Sequence, residues 1–330
     1  MSDSERGRQA RGSTDKSRSD GITPFRRGGF AELPDMPRRP HIYFSSEERD
    51  LMVDSRALGR MKVHVRVHGS GPPLLLIHGL MTSSYSWRYL LEPLGRRFTL
   101  YAPDLPGNGR SDRPLAPRYH PDALADWIGE VQAALGIRGS TVIGNSMGGY
   151  LCMRLALRDP GAMSRLVNLH SPGVPEARLY ALGAALSVPG MKSLVAWLAR
   201  RKPEEWAHRN VHYFDESLKS LEEAREYGAP LAERDGARAF VKHLGETMAV
   251  GPIRRFYREL AGRAERGEPF PVPLLLVYAE RDPMVPPRFG DLLARRIPDA
   301  RLVRLADASH FAHVDAVEHF VPLVLPFLTV

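Results

Sequence analysis

The chain has 330 residues, 43% of them apolar, a formal net charge of +8 and a single cysteine, Cys152. That length buries a sizeable core in one large domain or two. One cysteine excludes an internal disulfide and a cysteine-built metal site, and the basic excess is interspersed with acidic residues and carries no groove-reading motif, so no nucleic-acid partner is expected.

Residues 1–42 are rich in Ser, Arg, Gly, Asp and Pro with almost no apolar periodicity. They cannot repay the entropy of ordering and are expected to form a disordered N-terminal tail, a solvated extension or a partner-binding arm. Met1 to Phe25 lacks a hydrophobic h-region, and no stretch of about 18 uninterrupted apolar residues follows, so a cytoplasmic protein without a membrane span is expected. From Tyr43 onwards the pattern changes. Met61, Val63, Val65 and Val67 alternate with Lys62, His64, Arg66 and His68, the period of a half-buried strand, and Leu58-Gly59 before it reads as the turn of an edge hairpin.

Short continuous apolar runs follow at Leu74–Ile77, Phe98–Ala102, Thr141–Gly144, Leu166–Leu169, Leu274–Tyr278 and Arg301–Leu305. Runs of this kind suit strands covered on both faces, and the helix-length segments between most of them predict an α/β fold: a mostly parallel central sheet with helices on both sides. About a hundred residues between His170 and Leu274 break the rhythm. Residues 177–263 read as successive helices and are expected to form a helical cap over the sheet's carboxyl edge, where open α/β sheets bind ligands. The core is then 43–176 with 264–330. The aromatics of the insertion, Trp197, Trp206, Tyr213, Phe214, Phe240, Phe256 and Tyr257, serve either its own core or a substrate wall.

Gly144-Asn145-Ser146-Met147-Gly148-Gly149 follows an apolar run and precedes the helical stretch Tyr150–Arg158. A serine on a sharp strand-to-helix turn presents its hydroxyl at the sheet edge, with glycines where backbones crowd, and Ser146 is the candidate nucleophile. A serine hydroxyl needs a base, and the base needs a group that fixes its tautomer. Asp282, in the loop after Leu274–Tyr278, and His310, in the loop after Arg301–Leu305, leave parallel strands on the side where Ser146 emerges. Glu280 competes with Asp282 and His313 with His310, but Asp282 sits in a loop stiffened by Pro283 and Pro286, while His313 points into a following helix. For an oxyanion hole, the N–H groups of Leu80, after the turn His78-Gly79, and of Met147 are the candidates. Trp87 and Met147 are candidate walls of an apolar substrate pocket, Trp87 alternatively packing its own helix. Cys152, on the apolar helix after the serine, reads as a buried core residue.

These segments, together with Pro103–Asp112, resemble the α/β-hydrolase superfamily over roughly residues 45–330. The resemblance implies a serine hydrolase that needs neither cofactor nor metal and acts on a small-molecule substrate. The serine elbow is similar to that of meta-cleavage-product hydrolases, which split a carbon–carbon bond. Two positions depart from that group: Leu80-Met81-Thr82 stands where Gly-Pro-Gly is usual, and Phe311 where a tryptophan follows the histidine. A carboxylic-ester hydrolase is therefore the first expectation, a carbon–carbon hydrolase the second and a ligand-sensing α/β-hydrolase the third. The Asp104–Asp112 loop is expected to brace the elbow. The sequence does not specify the oligomeric state.

Overall fold

The computed structural model describes residues 22–329. Eight strands, β1 (Glu47–Ser55), β2 (Gly59–Gly69), β3 (Pro73–Ile77), β4 (Thr99–Pro103), β5 (Thr141–Asn145), β6 (Arg165–Leu169), β7 (Leu274–Ala279) and β8 (Arg301–Leu305), form one sheet in the order β1-β2-β4-β3-β5-β6-β7-β8. The pairs β1–β2 and β2–β4 are antiparallel and the other five are parallel. The runs read as doubly covered strands are so: Leu74 and Leu76 enter one hydrophobic cluster while Leu75 and Ile77 enter another on the opposite face. Side chains of period two have sorted a continuous apolar run into two layers.

Helices α2 (Pro121–Leu135) and α3 (Met147–Arg158) pack against each other on one face. The short α1 (Leu91–Gly95) and the terminal α11 (Ala312–Asp315) and α12 (Val317–Leu328) contribute to the other layer, and α10 (Arg288–Arg296) joins β7 to β8. Strand β2 is buried on more than the alternating side, because residues just after the tail cover its second face. There Arg66 lies 4.3 Å from the centre of the Tyr43 ring and donates to the carbonyls of Tyr43 and Ser46.

The chain passes from β3 to β4 on one side and then crosses back to β5 on the other, so the carboxyl ends of β3 and β5 flank a topological switch point. Between β6 and β7 stand α4 (Ala177–Ser187), α5 (Met191–Arg201), α6 (Pro203–Asn210), α7 (Leu221–Ala232), α8 (Arg234–Lys242), a single π-turn at His243–Thr247, and α9 (Val250–Glu265). Buried polar ties fasten this insertion to the core, among them those of Arg88 and His243. Arg88 Nη2 donates to Glu223 on α7 at 2.6 Å, and His243 Nε2 meets the Pro106 carbonyl at 2.8 Å.

The expectation of a disordered tail through residue 42 is corrected for residues 22–42; residues 1–21 lie outside the described part. The segment runs along the insertion. Phe25 N–H bonds the Phe214 carbonyl at 3.0 Å, and the Pro34 and Asp35 carbonyls accept from Leu221 N–H and Glu222 N–H at the start of α7. His41 meets the Glu222 carboxylate at 2.7 Å. The first N–H groups of α7 have no acceptor within the helix, and the extended segment supplies them with carbonyls.

Candidate active site

Strand β3 leads directly into His78-Gly79. Leu105 N–H donates to His78 Nε2 at 2.9 Å, so Nδ1 carries the proton and meets the Gly79 carbonyl at 2.8 Å. Burial holds His78 below the ordinary histidine range, which keeps it neutral. A backbone turn is thereby clamped by a neutral ring. The adjacent loop is fixed by Asp104, whose two carboxylate oxygens accept Ser84 N–H at 2.7 Å and Arg110 N–H at 2.8 Å. The Asp104–Asp112 loop is thus architectural, but its hydrogen bonds reach the loop after β3 and strand β2 rather than the elbow.

At the end of β5, Ser146 has φ 53° and ψ −121°, a conformation L-residues rarely adopt. Its N–H bonds the Leu169 carbonyl of β6 at 2.7 Å, and its carbonyl accepts from Tyr150 N–H in α3. The glycines around it are spatial requirements. A Cβ on Gly148 would lie 2.3 Å from the His78 carbonyl oxygen, and one on Gly144 would lie 2.7 Å from Gly149 Cα. Strained turns of this kind persist only where the surroundings over-determine them, and here strands β3 and β6 do so. Met147 opens α3, so its N–H has no intrahelical acceptor and the helix's positive end faces the same place. Gly79 lies against the serine, a Cβ placed on it falling 3.1 Å from Ser146 Cβ. Leu80 follows directly.

On the loop after β8, His310 is buried, and its Nδ1 meets Asp282 Oδ2 at 2.7 Å. The other carboxylate oxygen of Asp282 accepts Met284 N–H at 2.7 Å and Val285 N–H at 2.9 Å. Burial alone would raise the carboxyl's pKa; His310, close by and hydrogen-bonded, outweighs it and holds the group below its usual range. Asn145 Nδ2 donates to the His310 carbonyl at 3.1 Å, linking the elbow to the histidine loop.

The rivals stand elsewhere. Glu280 is exposed. His313 is fully buried, its ring centre 4.5 Å from that of Trp87, and burial holds it well below the ordinary histidine range. Cys152 lies in the core behind the elbow, and burial pushes its thiol up.

A cavity of about 350 Å³ joins these parts. Leu80, Asn145, Ser146, Met147 and His310 line one side. Leu179, Trp206, Phe240, Leu244 and Met248 of the insertion line another, with Met284, Val285 and Phe289 from the loop and helix after β7. Trp87 is a correction: it is fully buried among core residues and is absent from the cavity lining. The wall it was expected to supply comes from Trp206 and Phe240, which lie on the insertion and reach the site only through tertiary packing.

One residue of the site was missed. His170 directly follows β6 with φ 55°, fully buried, its ring centre 5.5 Å from that of His310. A ring nitrogen of His170, a carboxylate oxygen of Asp282 and a ring nitrogen of His310 lie within 4.8 Å of one another, close enough in principle to share a cation. The protonation pattern argues against that use. Ala279 N–H donates to His170 Nε2 at 2.7 Å, which leaves the proton on Nδ1 and no free lone pair on the neutral ring. Burial lowers the His170 pKa to about 3, so the ring is neutral at ordinary pH. The available signal was a histidine directly closing a buried apolar run.

The sheet, its switch point and the serine elbow define an α/β-hydrolase. The family model described as alpha/beta hydrolase fold matches residues 72–317, and the chain belongs to that family. It is 27% identical over 271 residues to the 2-hydroxymuconate semialdehyde hydrolase of Pseudomonas sp. (strain CF600), covering 81% of this chain and 90% of that one. It is equally 27% identical over 269 residues to the pimeloyl-[acyl-carrier protein] methyl ester esterase of Aeromonas hydrophila, covering 81% of this chain and all of that one. Among solved structures, a thermophilic esterase from Thermogutta terrifontis superposes with a TM-score of 0.67 at 20% identity, over 85% of this chain and 98% of that one.

Proposed function

We propose that the chain hydrolyses a carboxylic ester of a small, largely apolar substrate through an acyl-enzyme, with Ser146 as nucleophile, His310 as base and Asp282 as the group that orients it. The observation that carries this reading is the 2.7 Å contact between His310 Nδ1 and Asp282 beside a cavity lined by both His310 and Ser146. With its Nδ1–H donating a hydrogen bond to the Asp282 carboxylate, His310 keeps Nε2 as the basic nitrogen. It takes the Ser146 proton as Oγ attacks the ester carbonyl, and the N–H groups of Leu80 and Met147 receive the oxyanion. The protonated His310 then gives its proton to the leaving alcohol, an ester bond to Ser146 having replaced the substrate's own. Water, deprotonated by His310, attacks the acyl group, and release of the acid returns the proton to Ser146.

The apolar walls favour an apolar acyl or alcohol portion, and the volume lies at the low end of the range for ligand pockets, roughly 300–1,000 Å³. Similarity to the Aeromonas methyl ester esterase supports the ester reading. Similarity to the Pseudomonas semialdehyde hydrolase supports a second, carbon–carbon bond hydrolysis by the same residues.

Short- and medium-chain p-nitrophenyl esters separate these outcomes. Sustained turnover by wild type, reduced at least 10³-fold by Ser146→Ala, is the expected result. Labelling of wild type by a fluorophosphonate without ester turnover would transfer the reading to ring-fission dienones. Absence of both would remove the activated serine.

A further inference from the structure

From Ala177 to Pro203 the chain carries five basic residues, Arg178, Lys192, Arg200, Arg201 and Lys202, and no acidic one. The two helices of this stretch, α4 and α5, also expose large apolar side chains. Leu194, Trp197 and Leu198 recur at the i, i+3, i+4 spacing of one helix face, 42–48% exposed, and Tyr180 and Val188 on and just after α4 are about half exposed. An apolar helix face ordinarily packs inward. Here it is turned to solvent with a basic margin, the pattern of an amphipathic segment that lies in a membrane interface.

Behind the exposed face of α5 the surface is hollowed. Ser193, Trp197 and Arg200 face Arg234 and Arg238 of α8 across a depression of about 280 Å³. Among the described residues, Arg238 has only an exposed, long contact with Asp235, at 3.6 Å, to compete with an incoming anion. A second hollow beside it contains Lys192 and Lys242, the latter paired with Glu246 at 3.1 Å. Guanidinium groups around a concave site are suited to phosphate oxygens, which they bind as a fork. The indole of Trp197, with Arg201 5.4 Å from its ring centre, combines an apolar body with a polar margin, as tryptophans do at membrane interfaces.

We propose that α4 and α5, with the arginine-lined hollow between α5 and α8, dock this protein onto an anionic phospholipid surface. The two helices together are apolar and long enough for a span, but they meet at a bend of 101°, which suits a pair lying on a surface. A second copy of the chain is a poorer occupant: a two-fold contact through this patch would oppose its cations to themselves. Docking also has a consequence for the cavity. Arg178 and Leu179 of α4 line it while Tyr180 faces outward, and Met284 on its rim is 39% exposed. The mouth therefore borders the docking face, and an amphiphilic substrate held in the lipid would reach the site without crossing bulk water.

The test is a binding measurement, so it stands whatever bond the site cleaves. Full-length protein is mixed with vesicles of 30% phosphatidylglycerol in phosphatidylcholine, and with phosphatidylcholine alone. Expected are sedimentation with the anionic vesicles, a blue shift of Trp197 emission quenched by brominated lipid, and at least tenfold weaker binding at 0.5 M salt. Leu198→Glu and the pair Arg200→Glu with Arg234→Glu are each expected to weaken binding at least tenfold. None of these residues lines the active cavity, so labelling by a fluorophosphonate in solution should be unchanged. Equal binding to neutral vesicles, binding to neither, or a concentration-dependent dimer that Leu198→Glu converts to monomer would each overturn the proposal.

Discussion

His170 shows how a single side chain is set by its protonation. Its Nε2 is occupied by the Ala279 N–H, its Nδ1 proton faces the region of Asp282 and His310, and burial lowers its pKa to about 3. In the proposed mechanism His310 becomes an imidazolium, which a charged ring there would repel; a neutral one supports the geometry at no electrostatic penalty. His170 is therefore a positioning residue. Replacing it with alanine removes the ring between β7 and the His310 loop and lets the base drift. Displacements on the order of 1 Å cost up to about 10²-fold. The expected result for His170→Ala is a kcat reduced about 10–100-fold with KM little changed, and partial rescue by His170→Asn, whose amide can also pair with the Ala279 N–H. An unchanged kcat, or a loss confined to KM, would show that the ring only fills space.

At the scale of elements, the ties between insertion and core decide whether the cavity keeps its shape. Arg88 leaves the segment before α1 fully buried and donates to Glu223 on α7, which also accepts from the Tyr213 hydroxyl. Removing one partner of such a pair leaves an uncompensated buried charge and typically costs about 3–5 kcal/mol, whereas replacing both with apolar groups can be neutral. Arg88→Met should therefore lower stability by that amount in urea unfolding, while Arg88→Met with Glu223→Leu should recover most of it. A double variant as unstable as the single one would mean that the pair is not the tie.

The contrast between what was legible and what was not follows the same division. Strands such as Leu74–Ile77 announce themselves because a buried parallel strand has no polar face, and the elbow because Gly148 and its neighbours leave no room for a Cβ. Asp282 and His310 could be placed because parallel strands emit their loops on one side. The docking of residues 22–42 was not legible: the hydrogen bonds at Phe25, Pro34 and Asp35 are made by backbone atoms, which any sequence supplies, and the side-chain contacts beside them, Phe25 with Phe214 and His41 with Glu222, join residues far apart in the chain. Trp87 and Trp206 were likewise inseparable in sequence, since an indole in the core and one beside a cavity have the same composition around them. Only the return of α6 over the carboxyl edge distinguishes them.

For the whole molecule, the buried histidines set the response to pH. His170, His243 and His313 are fully buried, and burial holds all three below the unfolded value: to about 3 for His170, to about 4 for His243, and well below for His313. Below about pH 6.5 the unfolded chain takes up these protons while the folded chain does not. Folding stability therefore falls as pH drops from about 6.5, and each such group costs about 1.4 kcal/mol per pH unit until its folded pKa is reached. With these three groups acting between pH 6.5 and 5, and the buried His78 adding to them in the same direction, the loss is at least on the order of 6 kcal/mol, comparable to the total stability of many domains. Asp282, held below its usual range, adds to the loss only at more acid pH, as its carboxylate is protonated. Urea unfolding between pH 7.5 and 5 should show a steep decline consistent with uptake of three or more protons on unfolding. His243→Asn should be less stable at pH 7.5, because the contact to the Pro106 carbonyl is altered, yet its decline should be shallower by about one proton. A wild-type stability that stays level down to pH 5 would mean that these rings admit protons in place, which would require water beside them in the interior.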